Sequence, residues 1–249
     1  MRRTPPLGWR WLPIAMVASS CGIGNIDPIE PPAPSVGLVA YWTFDEGQGA
    51  LIPDHSGNGY DGTLTGGAWV SAGHFGGGLS LQRGDYVTVP NFPNATSSWT
   101  VSVWTAFAAA DIVTERSPLL STEIAYVGGW ELHAPGANSP PQFEFSYARA
   151  ATVDATMYVL GDCCPIVTGP WTHTTAVLDG ERSTLTMYEG GTARLVQPVN
   201  ASIRAGDSTL YLGRWGGAPA RTFQGTVDDI RIYNRALAPS EILGLELDP

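Results

Sequence analysis

Asp54-His55-Ser56-Gly57-Asn58 sets hard oxygen donors around a glycine in this 249-residue chain. Calcium takes about six to eight oxygens from carboxylates, amides and carbonyls, and a glycine lets the loop that supplies them turn sharply. Asp54 and Asn58 are the candidate ligands here. The same residues also suit an Asx-type turn, in which Asp54 bonds its own backbone and no metal is needed. Asp228-Asp229 form a second acidic pair, inside the run Thr226 to Tyr233. Neighbours along a strand point to opposite faces, so the two side chains are expected to serve different faces. On their own they read as edge charges or partners of Arg231 or Arg235.

The other reactive residue types form no catalytic constellation, and no catalytic residue is expected. None of His55, His74, His133 and His173 follows a Gly-x-Ser-x-Gly elbow. His173 reads as a packed or edge residue of a strand. Gly76-Gly77-Gly78 reads as a turn between strands, not as a phosphate cradle ahead of a helix. Retaining glycoside hydrolysis needs two carboxyls about 5–5.5 Å apart. Glu144 stands alone between Phe143 and Phe145, Glu123 and Glu131 are separated by Gly128-Gly129, and Glu189 lies in a turn. For sugar binding by aromatic stacking, Trp215 is the candidate, because Gly213-Arg214-Trp215-Gly216-Gly217 would expose its ring. Tyr126 is a second candidate. Covering a sheet edge is the competing and favoured reading of Trp215. Trp42, Trp99, Trp104, Trp130 and Trp171 read as core residues.

The elements that would position these residues are strands. Apolar residues make up 43% and charged residues 14%, with 30 Gly and 20 Pro. That composition suits short strands and tight turns. Alternating runs recur at Leu38–Phe44, Tyr86–Val89, Trp99–Trp104, Gln142–Tyr147, Thr172–Val177, Ser183–Tyr188, Leu210–Gly213 and Thr226–Tyr233. Trp99, Val101 and Val103 share one face of theirs. Asp179-Gly180 and Glu189-Gly190-Gly191 are turns. Pro239 opens one short C-terminal helix. The net charge is −10 and every basic residue is Arg. An acidic body without a basic stripe argues against nucleic acid as a partner.

The first 35 residues read as an export and anchoring device. Arg2, Arg3 and Arg10 precede the apolar run Trp11 to Ala18, which is far below the roughly 20 residues needed to span a bilayer. Residues 1–20 are expected to be a signal peptide. Val17-Ala18-Ser19-Ser20-Cys21 resembles a bacterial lipobox, which implies lipidation of Cys21 and a place in the cell envelope, on its periplasmic or surface face. An ordinary signal peptide is the alternative. Residues 21–35, with Pro28, Pro31, Pro32 and Pro34, form an extended tether. In an oxidising compartment the adjacent Cys163 and Cys164 could form a vicinal disulfide or stay reduced.

From residue 36 to 249 one domain is expected. Gly37 to Gly47, Asp54 to Thr63, Phe75 to Leu81, Asp85 to Pro90, Trp99 to Trp104, Trp171 to Val177 and Phe223 to Leu237 together resemble, in order, the laminin-G-like branch of the concanavalin A-like lectin/glucanase superfamily. The resemblance implies an all-β, two-sheet antiparallel jelly-roll sandwich with a short C-terminal helix. It also implies that the Asp54 loop and the closing strand could meet around a structural calcium held by Asp54, Asn58 and either Asp228 or Asp229. Its endoglucanase members carry Glu-x-Asp-x-x-Glu on one strand, which is absent here. The expected function is binding of a glycan or an extracellular or cell-envelope protein, without catalysis. A scaffold domain without sugar specificity and a glycoside hydrolase are the alternatives.

Overall fold

The computed structural model describes residues 33–95, 97–112, 117–122, 128–134, 142–148, 157–199, 202–216 and 218–247. The expected signal peptide, Cys21 and Tyr126 lie outside the described residues. In chain order the strands are β1 (Leu38–Trp42), β2 (Leu51–Ile52), β3 (Gly62–Thr65), β4 (Ala68–Val70), β5 (Gly78–Leu81), β6 (Tyr86–Val89) and β7 (Trp99–Ala106). Next come β8 (Pro118–Ser121), β9 (Trp130–His133), β10 (Gln142–Ala148), β11 (Met157–Pro165), β12 (Thr172–Asp179) and β13 (Thr184–Glu189). The series ends with β14 (Thr192–Pro198), β15 (Leu210–Leu212), β16 (Arg214–Trp215), β17 (Ala218–Thr222), β18 (Gly225–Tyr233) and the helix α1 (Pro239–Leu247).

The first sheet runs β14-β13-β12-β7-β18-β5-β4, with β1 also paired to β18. The second runs β11-β10-β9-β8-β15-β6-β3-β2, and β16 and β17 form a separate ribbon. Neighbouring strands are antiparallel, so alternate side chains sort onto two faces. Trp99, Val101, Val103, Ile230 and Ile232 of the first sheet meet Val87, Val89, Leu132, Phe143, Phe145 and Leu210 of the second in one core. Their burial is the main stabilising term of such a sandwich.

The outer face of the first sheet is covered by α1. Val177, Tyr188 and Tyr233 pack there with Leu237, Ile242 and Leu245, and Ala33 and Leu38 join the cluster. Pro239 takes the first helical position, where its missing N–H costs nothing. Glu241 closes that end by accepting from Ala238 N at 2.8 Å and from both terminal nitrogens of Arg235. At the last turn Glu246 Oε2 lies 2.8 Å from His173 Nδ1, whose Nε2 is 2.6 Å from Ser102 Oγ.

β18 pairs with β7 on one side, while on the other it is shared between β5, over Gly225–Val227, and β1, over Ile230–Tyr233. A bulge between Asp228 and Arg231 marks the hand-over, with Asp229 at φ 43°. Two carboxylates hold this seam. Asp228 Oδ2 accepts from His74 N and Phe75 N, both at 2.8 Å, in the loop that leads into β5. Asp228 Oδ1 accepts from Asp229 N. That loop is so tight that a side chain on Gly73 would strike Gly77 O and Asp228. Asp229 Oδ2 accepts from Tyr41 Oη of β1 at 2.9 Å and from Arg231 at 3.0 Å, and the Arg231 guanidinium lies over the Tyr41 ring.

Burial pushes the Asp228 carboxyl up to about 7, against three backbone N–H donors that favour its charged form. An unfolded Asp titrates near about 3.9. Between those values the folded state holds a proton that the unfolded state has lost, so stability falls as pH rises through this window. Asp54, Asp179 and Glu241 are shifted the other way, so their effect lies at more acid pH. Burial also holds the His74 imidazole below its usual range, which favours the folded state as pH rises through the same window. The contribution of Asp228 is isolated by substitution: relative to the wild type, Asp228→Asn is expected to melt less unfavourably at pH 8 than at pH 5.5. Differential scanning fluorimetry of both chains at the two pH values checks it, and a difference between them that does not change with pH overturns it.

Candidate functional site

The Asp54 loop is built on its own carboxylate. Asp54 Oδ1 accepts from Tyr41 N at 3.0 Å and Ser56 N at 2.9 Å, while Oδ2 accepts from Ser56 Oγ at 2.8 Å and Tyr60 N at 2.9 Å. A carboxylate has about four lone-pair sites, and all are filled. These donors hold its pKa below the usual range despite burial, which acts in the opposite sense. Asn58 turns its Nδ2 towards Leu38 O and Val39 O, bracing β1. A cation would need oxygens that already serve N–H groups, and Asp228 and Asp229 are equally engaged at the seam. The four residues do not fit a shared calcium cage. Among the described residues, no three His, Cys, Asp or Glu side chains converge as a metal site.

Trp215 requires a correction. It sits in β16, not in an open loop, and is only 6% exposed, with the Arg221 guanidinium over its ring. The glycines that predict exposure instead let the β16–β17 ribbon fold down. A side chain on Gly216 would strike the Tyr211 ring. Cys163 and Cys164 are joined as a vicinal disulfide within β11, with Cys164 at φ 65°.

The outer face of the second sheet carries the chemistry that sequence reasoning missed. On β9, Trp130 and Leu132 enter the core, so Glu131 and His133 point away from it. On β10, Phe143, Phe145 and Tyr147 enter the core, leaving Glu144 and Ser146 on the same outer face. The register sets Ser121 beside Glu131, Glu131 beside Ser146 and His133 beside Glu144. Ser121 Oγ donates to Glu131 Oε1 at 2.8 Å, and His133 Nε2 lies 2.8 Å from Glu131 Oε2. Ser146 Oγ is 3.3 Å from the same His133 nitrogen. None of these residues is more than 4% exposed. The signal was the alternation of Trp130 to His133 and of Phe143 to Ser146. It needed the cross-strand register to bring the two strands' polar residues together.

The same face continues towards β2 as open surface. Val87, Val89, Leu210 and Leu212 point inward, so Tyr86, Thr88 and Tyr211 point out, with the exposed Thr63 and Thr65 of β3 beside them. Thr63, Thr88, Tyr211 and Ser121 form one cross-strand row. Above it the Arg214 guanidinium carbon lies 4.4 Å from the Tyr86 ring centre and 4.9 Å from that of Tyr211. Hydroxyls, half-buried aromatic rings and a fixed guanidinium are the groups that recognise polyols and their substituents.

Melting with and without a chelator, or with added calcium, is expected to give one temperature. Asp54→Asn should cost about 1–3 kcal/mol in either condition, because an amide nitrogen cannot accept from Tyr60 N and Ser56 Oγ. A calcium-dependent melting temperature for the wild type overturns this account of the loop.

Comparison with known proteins places this geometry. A comparison with curated protein sequences finds no match. Among solved structures, domain 4 of AbnA, a GH43 extracellular arabinanase from Geobacillus stearothermophilus, in complex with arabinotriose, is similar at 21% identity and a TM-score of 0.66, over 84% of this chain and 98% of that one. The binding domain of Paraclostridial Mosquitocidal Protein 1 is similar at 18% identity and a TM-score of 0.66, over 85% of this chain and 52% of that one. The botulinum neurotoxin serotype G binding domain follows at 14% identity and a TM-score of 0.59, over 84% and 50%. These likenesses show the jelly-roll fold. The Laminin_G_3 family, described as the Concanavalin A-like lectin/glucanases superfamily, matches residues 81–243. With well over half its length matched, the chain belongs to the laminin-G-like family of that superfamily.

Proposed function

We propose that this protein is an exported, lipid-anchored module that binds glycan through the outer face of its second sheet, without catalysis. The observation that carries the reading is the platform of Tyr86, Tyr211 and Arg214 beside the hydroxyls of Thr63, Thr65 and Thr88, on the sheet face that α1 does not cover. Two features of the relatives support it. The arabinanase domain is described with arabinotriose, and the toxin chains are described as binding domains. The acids of the face do not favour hydrolysis. One Glu131 oxygen serves Ser121 and the other faces His133, whereas a retaining pair must reach a bond between two sugars. A protein ligand read by the same face is the other partner class.

Affinity electrophoresis against arabinan and a polysaccharide panel tests the glycan reading. Retention by at least one polysaccharide is expected. Tyr86→Ala should weaken it about tenfold, equivalent to about 1.4 kcal/mol. Silence across the panel favours a scaffold or protein-binding role, and reducing-sugar release favours a hydrolase.

Anchoring rests on the basic leader, the lipobox-like residues before Cys21 and the proline-rich residues that follow. In a bacterial expression host, labelled fatty acid should enter the full-length chain. Cys21→Ser should abolish both labelling and membrane sedimentation. Equal labelling of the two chains overturns the anchor.

A further inference from the structure

We infer that the binding face has a subsite for an oxyanion carried by the glycan, with Arg214 as its receptor. The inference rests on the glycan reading above and adds the charge class of the ligand. Arg182, Arg194, Arg231 and Arg235 each pair with a carboxylate, at 2.6 to 3.1 Å. Arg214 has no acidic partner among the described residues, in a chain whose net charge is −10. It is nevertheless held in place. Its guanidinium lies over two tyrosine rings, and Arg214 Nε is buried without an acceptor.

A guanidinium stacked on aromatic rings keeps its plane fixed and its N–H edge available for a planar, bidentate acceptor. Packing therefore covers the inward edge and leaves a half-buried cation on an otherwise hydroxyl-lined face. A carboxylate or sulfate group on a sugar supplies the missing charge and accepts charge-assisted hydrogen bonds. Thr88, Thr63 and the two tyrosines lie alongside for the sugar's hydroxyls. The acidic body opposes nonspecific capture of polyanions, so retention of an acidic polymer would have to come from a local site.

The full chain is tested by affinity electrophoresis against three arms: neutral arabinan, polygalacturonate as a carboxylate polymer, and dextran sulfate as a sulfate polymer. The expected result is tighter retention by one acidic arm than by arabinan. Arg214→Gln should lose about tenfold or more on that arm and weaken retention by arabinan by a clearly smaller factor. Arg214→Lys retains the charge but not the fork or the stacking, and should recover only part of the loss. Melting temperatures of both variants separate misfolding from lost binding. Preference for polygalacturonate assigns the subsite to carboxylate, and preference for dextran sulfate to sulfate. Equal retention on all arms, unchanged in Arg214→Gln, overturns the subsite while leaving glycan binding in place. Silence on every arm overturns both.

Discussion

The hand-over along β18 is the constraint on which the first sheet depends. A strand flanked on one side by two different partners must leave backbone groups between them, and buried backbone groups need partners. Asp228 supplies such a partner, accepting from Asp229 N within the bulge. The same carboxylate fixes the loop entering β5, and that of Asp229 fixes β1 through Tyr41. The bulge breaks the strict alternation expected of neighbours, so both side chains can take part. Asp54 does related work on the same strand, since Tyr41 N is one of its donors. The first strand, the loop that follows it and the closing strand are thus tied through three acidic side chains that meet mainly N–H and O–H groups.

This explains what was legible in the sequence. The strands announced themselves because alternation is a local property, and β6, β7, β10, β12, β13 and β18 fall where period-two runs predicted them. Pro239 marked α1 for an equally local reason. The acids could not be assigned in that way. A carboxylate that gathers N–H donors and one that binds calcium use the same residue types in the same turn, and only the direction of the neighbouring dipoles separates them. Trp215 was misjudged because glycines on both sides mean either an open loop or a backbone that can approach an aromatic ring. Here Gly216 lies against Tyr211. Glu131 and His133 were invisible as a pair with Glu144 because their proximity comes from register across the β9–β10 hairpin, not from spacing along the chain.

Distances alone do not assign chemistry either. Ser102, His173 and Glu246 stand in the order and spacing of a nucleophile, a base and an orienting acid. Ser102 is only 1% exposed, in the middle of β7, where neighbouring strands take up the backbone N–H groups that an oxyanion would need. Thr175 Oγ1 donates to the same Ser102 oxygen. The chain of contacts instead fastens the last turn of α1, as the Arg235–Glu241 pair fastens its first.

Fastened at both ends, α1 covers the outer face of the first sheet around Val177, Tyr188 and Tyr233. Ala33 and Leu38 pack into the same cluster, so the chain also enters the domain on that side. The two outer faces therefore differ. That of the first sheet receives Ala33, Leu38 and the helix, and that of the second retains exposed hydroxyls and the Arg214 platform.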